Sequence, residues 1–285
     1  MKQIISLLRT FNELVMFQHT IFSLPFILIA MIVAANGWFG WKLLILGILA
    51  AVTARNFAMA LNRYVDRNFD AKNPRTSERP SVDGRLRPWM VSLFATFNAA
   101  AFVLIALYIN DLAFWLSFPI LLVLGSYSYF KRFSALAHLV LGVSLALAPI
   151  AGVVAVSEAI PLWSLLLSFG VMFWVAGFDL LYSLQDMEFD KRMGLHSIPS
   201  RFGKDATLFI AKIFHFNSVL FWLLFSFAAE LGTFGYIAAI SAAIMLYYEH
   251  SLVSKDTMQI NRAFFTVNGY LGVLFLLFII LDKAL

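Results

Sequence analysis

Asn62, Asp66 and Asp70 recur every four residues, and far downstream Asp179, Tyr182, Asp186 and Asp190 recur at spacings of three or four. On a helix such spacings align side chains on one face, so each run is an acidic stripe. Gathered carboxylates are hard oxygen ligands. They suit Mg2+, which takes one or two carboxylates and completes its shell with water and phosphate oxygens. Cations crowd the same stretches: Arg63, Arg67, Lys72, Arg75, Arg79, Lys131, Arg132, Lys191 and Arg192. Acids alone would suit a bare cation. Acids with this density of arginine and lysine suit a metal–phosphate site, in which two stripes hold one or more Mg2+ ions with a diphosphate between them. Structural ion pairing with the nearby arginines is the competing explanation for the carboxylates. Contact with lipid headgroups is the competing explanation for the basic residues, and the favoured one for Arg79, Arg85, Arg87, Lys255 and Arg262.

These charged stretches lie in a very apolar chain. Of 285 residues 61% are hydrophobic and only 13% charged, with a mean hydropathy of +0.84. Soluble domains are about a quarter charged, so the composition implies an integral membrane protein. With no cysteine, disulfides, thiolate metal sites and cysteine nucleophiles are excluded. The start carries no cleavable signal pattern. Ile4, Leu7, Leu8, Phe11, Leu14 and Val15 recur at helical spacing, which predicts an amphipathic N-terminal helix over residues 1–16. Nine stretches are long and apolar enough to span a bilayer: roughly His19–Ala35, Trp41–Leu61, Met90–Tyr108, Leu112–Phe130, Ala135–Val156, Leu162–Leu184, Ala206–Ala229, Phe234–Leu252 and Ala263–Leu281. The expectation is an all-α membrane protein. It is one domain over residues 1–285, a nine-transmembrane-helix bundle with two cytoplasmic cap loops over a central cavity.

Charge then sorts by side. If the N-terminus and the loops after spans two, four, six and eight share one side, that side holds seventeen of the 21 basic residues. Lys42 and Lys283 alone fall on the other side, while Arg55 and Lys212 fall within spans. The positive-inside rule places the N-terminus and both acidic stripes in the cytoplasm, in the cell (inner) membrane. This sorting of basic residues by loop, with no soluble basic domain, excludes a nucleic-acid partner despite a pI near 9.5. No obligatory protein partner is inferred. Asn62-x3-Asp66-x3-Asp70 and Tyr182-x3-Asp186-x3-Asp190 share one spacing at the ends of spans two and six. That suggests an internal duplication.

Arg55 lies two turns deeper than Asn62. An intramembrane arginine needs a partner, so it could orient Asp66, contact substrate or neutralise the stripe. Tyr182, in register with Asp186, is the strongest tyrosine candidate, and Tyr127 follows it. His19 reads as an interfacial side chain and Lys212 as one that snorkels to the interface.

At these residues the chain resembles the UbiA family of intramembrane aromatic prenyltransferases. The family's first motif, N-x-x-x-D-x-x-x-D, matches Asn62, Asp66 and Asp70, followed by Asn73-Pro74-Arg75-Thr76 and Arg79. Its second, a tyrosine ahead of D-x-x-x-D, matches Tyr182, Asp186 and Asp190, followed by Gly194, Ser197 and Gly203. A Tyr-x-x-x-Lys-Arg signature is similar to Tyr127 through Lys131 and Arg132. The resemblance covers nearly the whole chain. The run Arg79-Pro80-Ser81-Val82-Asp83-Gly84 departs from the usual proline–small–glycine order.

The resemblance implies transfer of a polyprenyl group from a polyprenyl diphosphate, out of the lipid bilayer, to a small phenolic or naphtholic acid. It assigns Asp66, Asp70, Asp186 and Asp190, with Asn62, to Mg2+. Asn62, Arg67, Lys72, Arg75, Lys131, Arg132 and Lys191 fall to the diphosphate, and Arg55, Tyr127 and Tyr182 to substrate orientation. The Asn-Pro-Arg-Thr form resembles both the 4-hydroxybenzoate polyprenyltransferases and their close relatives in menaquinone synthesis, and the residues do not separate the two. 4-Hydroxybenzoate in ubiquinone biosynthesis is placed first, with 1,4-dihydroxy-6-naphthoate in menaquinone biosynthesis as the alternative. An ion-coupled transporter is the alternative from another class. Transporter acids generally lie near the bilayer midplane, however, and not ahead of arginine-rich loops.

Overall fold

A computed structural model describes residues 2–16, 22–255 and 260–285. His19, expected to open the first span, lies outside them. Among the described residues the chain forms helices and turns and no strand. The helices are α1 (Lys2–Val15), α2 (Leu24–Ala35), α3 (Trp41–Val65), α4 (Arg67–Asp70), α5 (Pro88–Ile109), α6 (Asp111–Phe130), α7 (Ala137–Ser157), α8 (Leu162–Ser183), α9 (Met187–Met193), α10 (Ile198–Ala228), α11 (Thr233–Lys255), α12 (Ile260–Arg262) and α13 (Asn268–Ala284). A 3-10 turn, Leu184–Asp186, joins α8 to α9, and a π turn, Ala263–Val267, joins α12 to α13.

Eight helical segments, not nine, are long and apolar enough to cross a membrane among the described residues. The protein is thus an all-α, multi-pass membrane bundle. The first expected span appears as α2, an apolar helix of 12 residues. Twelve residues rise about 18 Å, well short of a hydrocarbon core about 30 Å thick.

The helices sort into two compact units. One comprises Met1–Thr20 and Ile48–Tyr129, the other Ile21–Gly47 and Phe130–Leu285. In the first, Leu14 of α1 packs with Ala60, Leu86, Val91 and Ala95, flanked by Phe11, Phe57, Met90 and Phe94. Phe11 stacks on Phe94 with ring centroids 4.6 Å apart. Asn56 Nδ2 donates to Asn98 Oδ1 across α3 and α5 at 3.0 Å, satisfying polar groups that lipid could not. Arg85, expected at headgroups, instead donates to both carboxylate oxygens of Glu13 at 2.6 and 2.8 Å and tethers α1. That bond, then the one to Asp83, pushes its pKa above the ordinary arginine value.

In the second unit, contacts close a ring: α2 touches α7, α7 touches α8, α8 touches α10, α10 touches α11, α11 touches α13, and α13 returns to α2. Its interior is aromatic. Phe26 stacks on Trp222 and packs against Trp174 and Phe275. Where α7 meets α8, a Cβ on Gly142 would stand 2.3 Å from the Met172 carbonyl oxygen, so only glycine permits that approach.

Candidate active site

The first acidic stripe runs across a break between two helices. Asp66, at φ −90° and ψ 4°, separates α3 from α4. The hydrogen-bond ladder nonetheless continues: Asp66 N–H donates to the Asn62 carbonyl at 2.9 Å and Asp70 N–H to the Asp66 carbonyl at 2.8 Å. The three motif residues therefore keep helical register through the bend. Asn62 Nδ2 donates to Asp66 Oδ2 at 2.9 Å and to Ser128 Oγ at 3.1 Å, and its Oδ1 accepts from Arg63 Nη1 at 2.9 Å. Both ends of the amide are engaged, which fixes the rotamer of Asp66. Asp70 is buried. Its Oδ1 accepts from Arg79 Nη1 at 2.7 Å, and its Oδ2 has no hydrogen-bond partner.

The loop after α4 is folded onto this end. Thr76 Oγ1 donates to the Asp70 carbonyl at 2.9 Å, and Arg75 N–H donates to Asn73 Oδ1 at 3.0 Å. Arg67 Nε donates to the Ser81 carbonyl at 2.8 Å, so part of this expected diphosphate ligand already clamps the loop. Lys72 and Arg75 are exposed. Deeper in α3, Arg55 has a buried Nε with no partner, and its Nη2 reaches the Met16 carbonyl only at 3.5 Å. Tyr127 is half-buried near the C-terminal end of α6, beside Ser128.

The second stripe repeats the first. Asp186, at φ −100° and ψ 1°, stands before the short helix α9 as Asp66 stands before α4. Both acids occupy the sparsely populated bridge region. Asp190, like Asp70, is buried with its Oδ2 unpartnered. Its carbonyl accepts from Leu195 N–H at 2.9 Å, and Gly194 closes α9 at φ 68°, a left-handed position. A capping box at Ser197 starts α10. His196 N–H donates to the Lys131 carbonyl at 2.7 Å, bringing Lys131 alongside α9. Arg132 is exposed. Lys191 is exposed too, 3.9 Å from Glu188. Tyr182 lies face-near against Phe264, with centroids 4.3 Å apart, and Phe264 meets Phe178 and Phe22. One turn above Tyr182, Asp179 Oδ2 is bound by His138 Nδ1 at 2.7 Å.

The duplicated spacing thus folds into duplicated geometry. Each motif presents a buried acid with a bare oxygen, Asp70 in one and Asp190 in the other, four residues after an acid that stands before a short helix. A buried carboxylate oxygen without a partner costs on the order of 1–3 kcal/mol, and a divalent cation removes that cost. No three Asp, Glu or His side chains gather at metal-ligating distance among the described residues. Mg2+ requires no such cage where phosphate oxygens and water complete its shell. Asp66 and Asp70 in one motif, and Asp186 and Asp190 in the other, are oxygen donors of the kind this ion takes.

Some site residues were not readable beforehand. Arg79, read as a headgroup contact, instead grips Asp70. The chain returns through a turn to make that contact, and a nine-residue separation matches no helical period. Ser128 and His138 carry no sequence signal at all, since each reaches its partner from a neighbouring helix.

The UbiA prenyltransferase family model matches residues 23–279. A 4-hydroxybenzoate octaprenyltransferase from Marinobacter nauticus is 30% identical over 257 residues, spanning 90% of this chain and 87% of that protein. The apo structure of a UbiA homolog from Aeropyrum pernix K1 is 30% identical, covers 93% of this chain and 98% of that one, and superposes with a TM-score of 0.83. A UbiA homolog from Archaeoglobus fulgidus bound to DMAPP and Mg2+ is 18% identical, covers 97% and 99%, and has a TM-score of 0.77, a likeness of fold. The chain belongs to the UbiA prenyltransferase family.

Proposed function

We propose that the protein catalyses Mg2+-dependent transfer of a polyprenyl group from a polyprenyl diphosphate to 4-hydroxybenzoate, a step of ubiquinone-type biosynthesis. The observation that carries this reading is the matched pair of bare, buried carboxylate oxygens, Asp70 Oδ2 and Asp190 Oδ2, in two motifs of equal spacing. The octaprenyltransferase relative supplies the choice of acceptor.

Asp66, Asp70, Asp186 and Asp190 would hold Mg2+, which when bound offsets negative charge developing on the departing diphosphate. Arg79 fixes Asp70 Oδ1 and leaves Oδ2 for the ion. Asn62 is assigned to holding Asp66, in place of the metal- and diphosphate-binding roles its motif position implies, because both ends of its amide are engaged. Lys131, beside α9, and the exposed Arg75 and Lys72 serve the diphosphate oxygens, with Arg132 and Lys191 as outer cations. Arg55, with its bare Nε, suits the acceptor carboxylate, and Tyr127 helps orient it. The rings of Tyr182, Phe264 and Phe178 offer π faces to an allylic cation and keep water from trapping it.

In this reading residues 1–285 form one prenyltransferase domain that crosses the membrane nine times. The N-terminus and both motifs face the cytoplasm, and the segments after spans two and six act as caps. Contacts inside each unit support the parity. Lys283 Nζ donates to Asn36 Oδ1 at 3.1 Å and Gly232 N–H to Asp282 at 2.9 Å, joining segments assigned to the outer side. The His196–Lys131 and Arg85–Glu13 bonds join segments assigned to the inner side.

The test uses purified protein in nanodiscs with Mg2+ and radiolabelled polyprenyl diphosphate, offered 4-hydroxybenzoate and 1,4-dihydroxy-6-naphthoate in parallel. Prenylated benzoate, abolished by EDTA, is expected. Prenylated naphthoate alone would move the acceptor assignment, and neither product would overturn the reading.

A further inference from the structure

His138 is an unusual residue to bury in a membrane helix. It is fully buried in α7, and its Nδ1 lies 2.7 Å from Asp179 Oδ2 on α8. Its Nε2 is buried without a partner. A side chain kept only for packing would not leave a polar nitrogen bare at this depth, where ionisable groups mark function by default. The tautomer follows from the geometry: Nδ1 carries the hydrogen and donates to the carboxylate. Asp179 is also specifically placed. Asp179 and Tyr182 fall at i and i+3 and share one face of α8, and Asp186 follows at i+7 at the end of the 3-10 turn. Leu180, Leu181 and Ser183 turn into the unit's own core. Asp179 therefore sits on the face of the second acidic motif, two turns and about 10 Å deeper than Asp186. A diphosphate held at Asp186, with its prenyl chain running into the apolar interior, would put its allylic carbon on the Asp179 side.

We propose that His138 is a positioning residue that holds Asp179 as the carboxylate serving the aromatic acceptor. The inference rests on the prenyltransferase reading above. In the step, a ring carbon supplies the electron pair of the new C–C bond, and the C–O bond to diphosphate breaks with its pair on oxygen. The ring is left as an arenium cation with one excess proton. Asp179 stabilises that positive charge and then takes the proton from the sp3 carbon, so the C–H pair restores the aromatic ring. The carboxylic acid returns its proton to water as products leave. The His138 N–H holds the Asp179 carboxylate in place for that transfer.

The test compares wild type, His138→Ala and His138→Gln in nanodiscs, with two readouts: prenylated acceptor, and cleavage of the allylic diphosphate without acceptor. Glutamine keeps an N–H donor for Asp179, and thermal unfolding checks that both variants are folded. For His138→Ala the kcat for transfer should fall at least tenfold, with KM for the diphosphate and acceptor-free cleavage within twofold of wild type. His138→Gln should recover most of the loss. Unchanged transfer in His138→Ala overturns the positioning role. So does an equal loss of both readouts, or a glutamine variant as impaired as the alanine one. A wild type that prenylates no aromatic acceptor overturns the functional reading, and this inference with it.

Discussion

The charged residues of the two motifs are not equivalent, and their surroundings rank them. Asp70 and Asp190 each keep a bare, buried oxygen, whereas Lys191 stands exposed near Glu188. Asp70→Asn and Asp190→Asn preserve shape but remove the charge that a divalent ion needs. Each should lower kcat by about 10²–10³, the loss typical of a group aimed at transition-state charge. Initial rates across a Mg2+ titration measure this, and the half-saturating Mg2+ concentration should rise. Lys191→Gln should stay within about fivefold, because exposed pairs contribute about 0–1 kcal/mol. Arg79→Gln occupies the middle ground. It frees Asp70 to rotate and should cost roughly tenfold in rate, while Arg79→Lys keeps a charge and should recover part of it. Spacing alone made the acids legible. It could not separate Arg79 from Arg85, because one returns to Asp70 and the other reaches Glu13.

At the scale of elements, both acidic motifs run into short helices that follow long ones, α4 after α3 and α9 after α8. Asp66 and Asp186 each stand before a short helix, and the first motif keeps its helical register across the break. A four-residue spacing is the same whether the helix is straight or bent, so sequence had no means of locating these breaks. The start of α10 was hidden similarly. It begins at Ile198 behind the Ser197 capping box, with Pro199 in the first turn, and kinks at Gly203 (φ 82°, ψ 178°), whereas hydropathy alone suggested Ala206. Ser197→Ala should cost about 0.5–2 kcal/mol through the lost cap. Because Ser197 also bonds Asp190, it should reduce activity more than any other cap change of equal destabilisation. Helix contacts obey a second constraint. Gly142→Ala would force a methyl group against the Met172 carbonyl, a backbone atom that cannot swing aside. It should cost about 1–3 kcal/mol, read as a lowered unfolding temperature in detergent with residual activity retained below it.

For the whole molecule, long-range patterns were the most readable and pairwise contacts the least. Apolar runs gave every spanning segment to within a few residues at most ends, because a helix in lipid must satisfy its own backbone and needs a minimum length. The exception is α2, whose described 12 residues fall short of that length. Charge bias proposes a side for each loop, because it accumulates over the full chain. Contacts such as His138–Asp179 and Trp174–Asn268 leave no such trace, since each joins residues far apart in sequence through one local geometry. The sidedness is directly testable because the chain has no cysteine, so any introduced thiol reports alone. Glu78→Cys lies in the loop after α4 and Ala159→Cys in the turn between α7 and α8, both at exposed positions. An impermeant maleimide added to right-side-out vesicles should label Ala159→Cys at once, and Glu78→Cys only after permeabilisation. Reversed labelling would place both motifs outside, away from any cytoplasmic supply of diphosphate. Labelling of both from one side would break the parity itself, and then one of α5, α6 and α7, the three helices between the two positions, would be the crossing to remove.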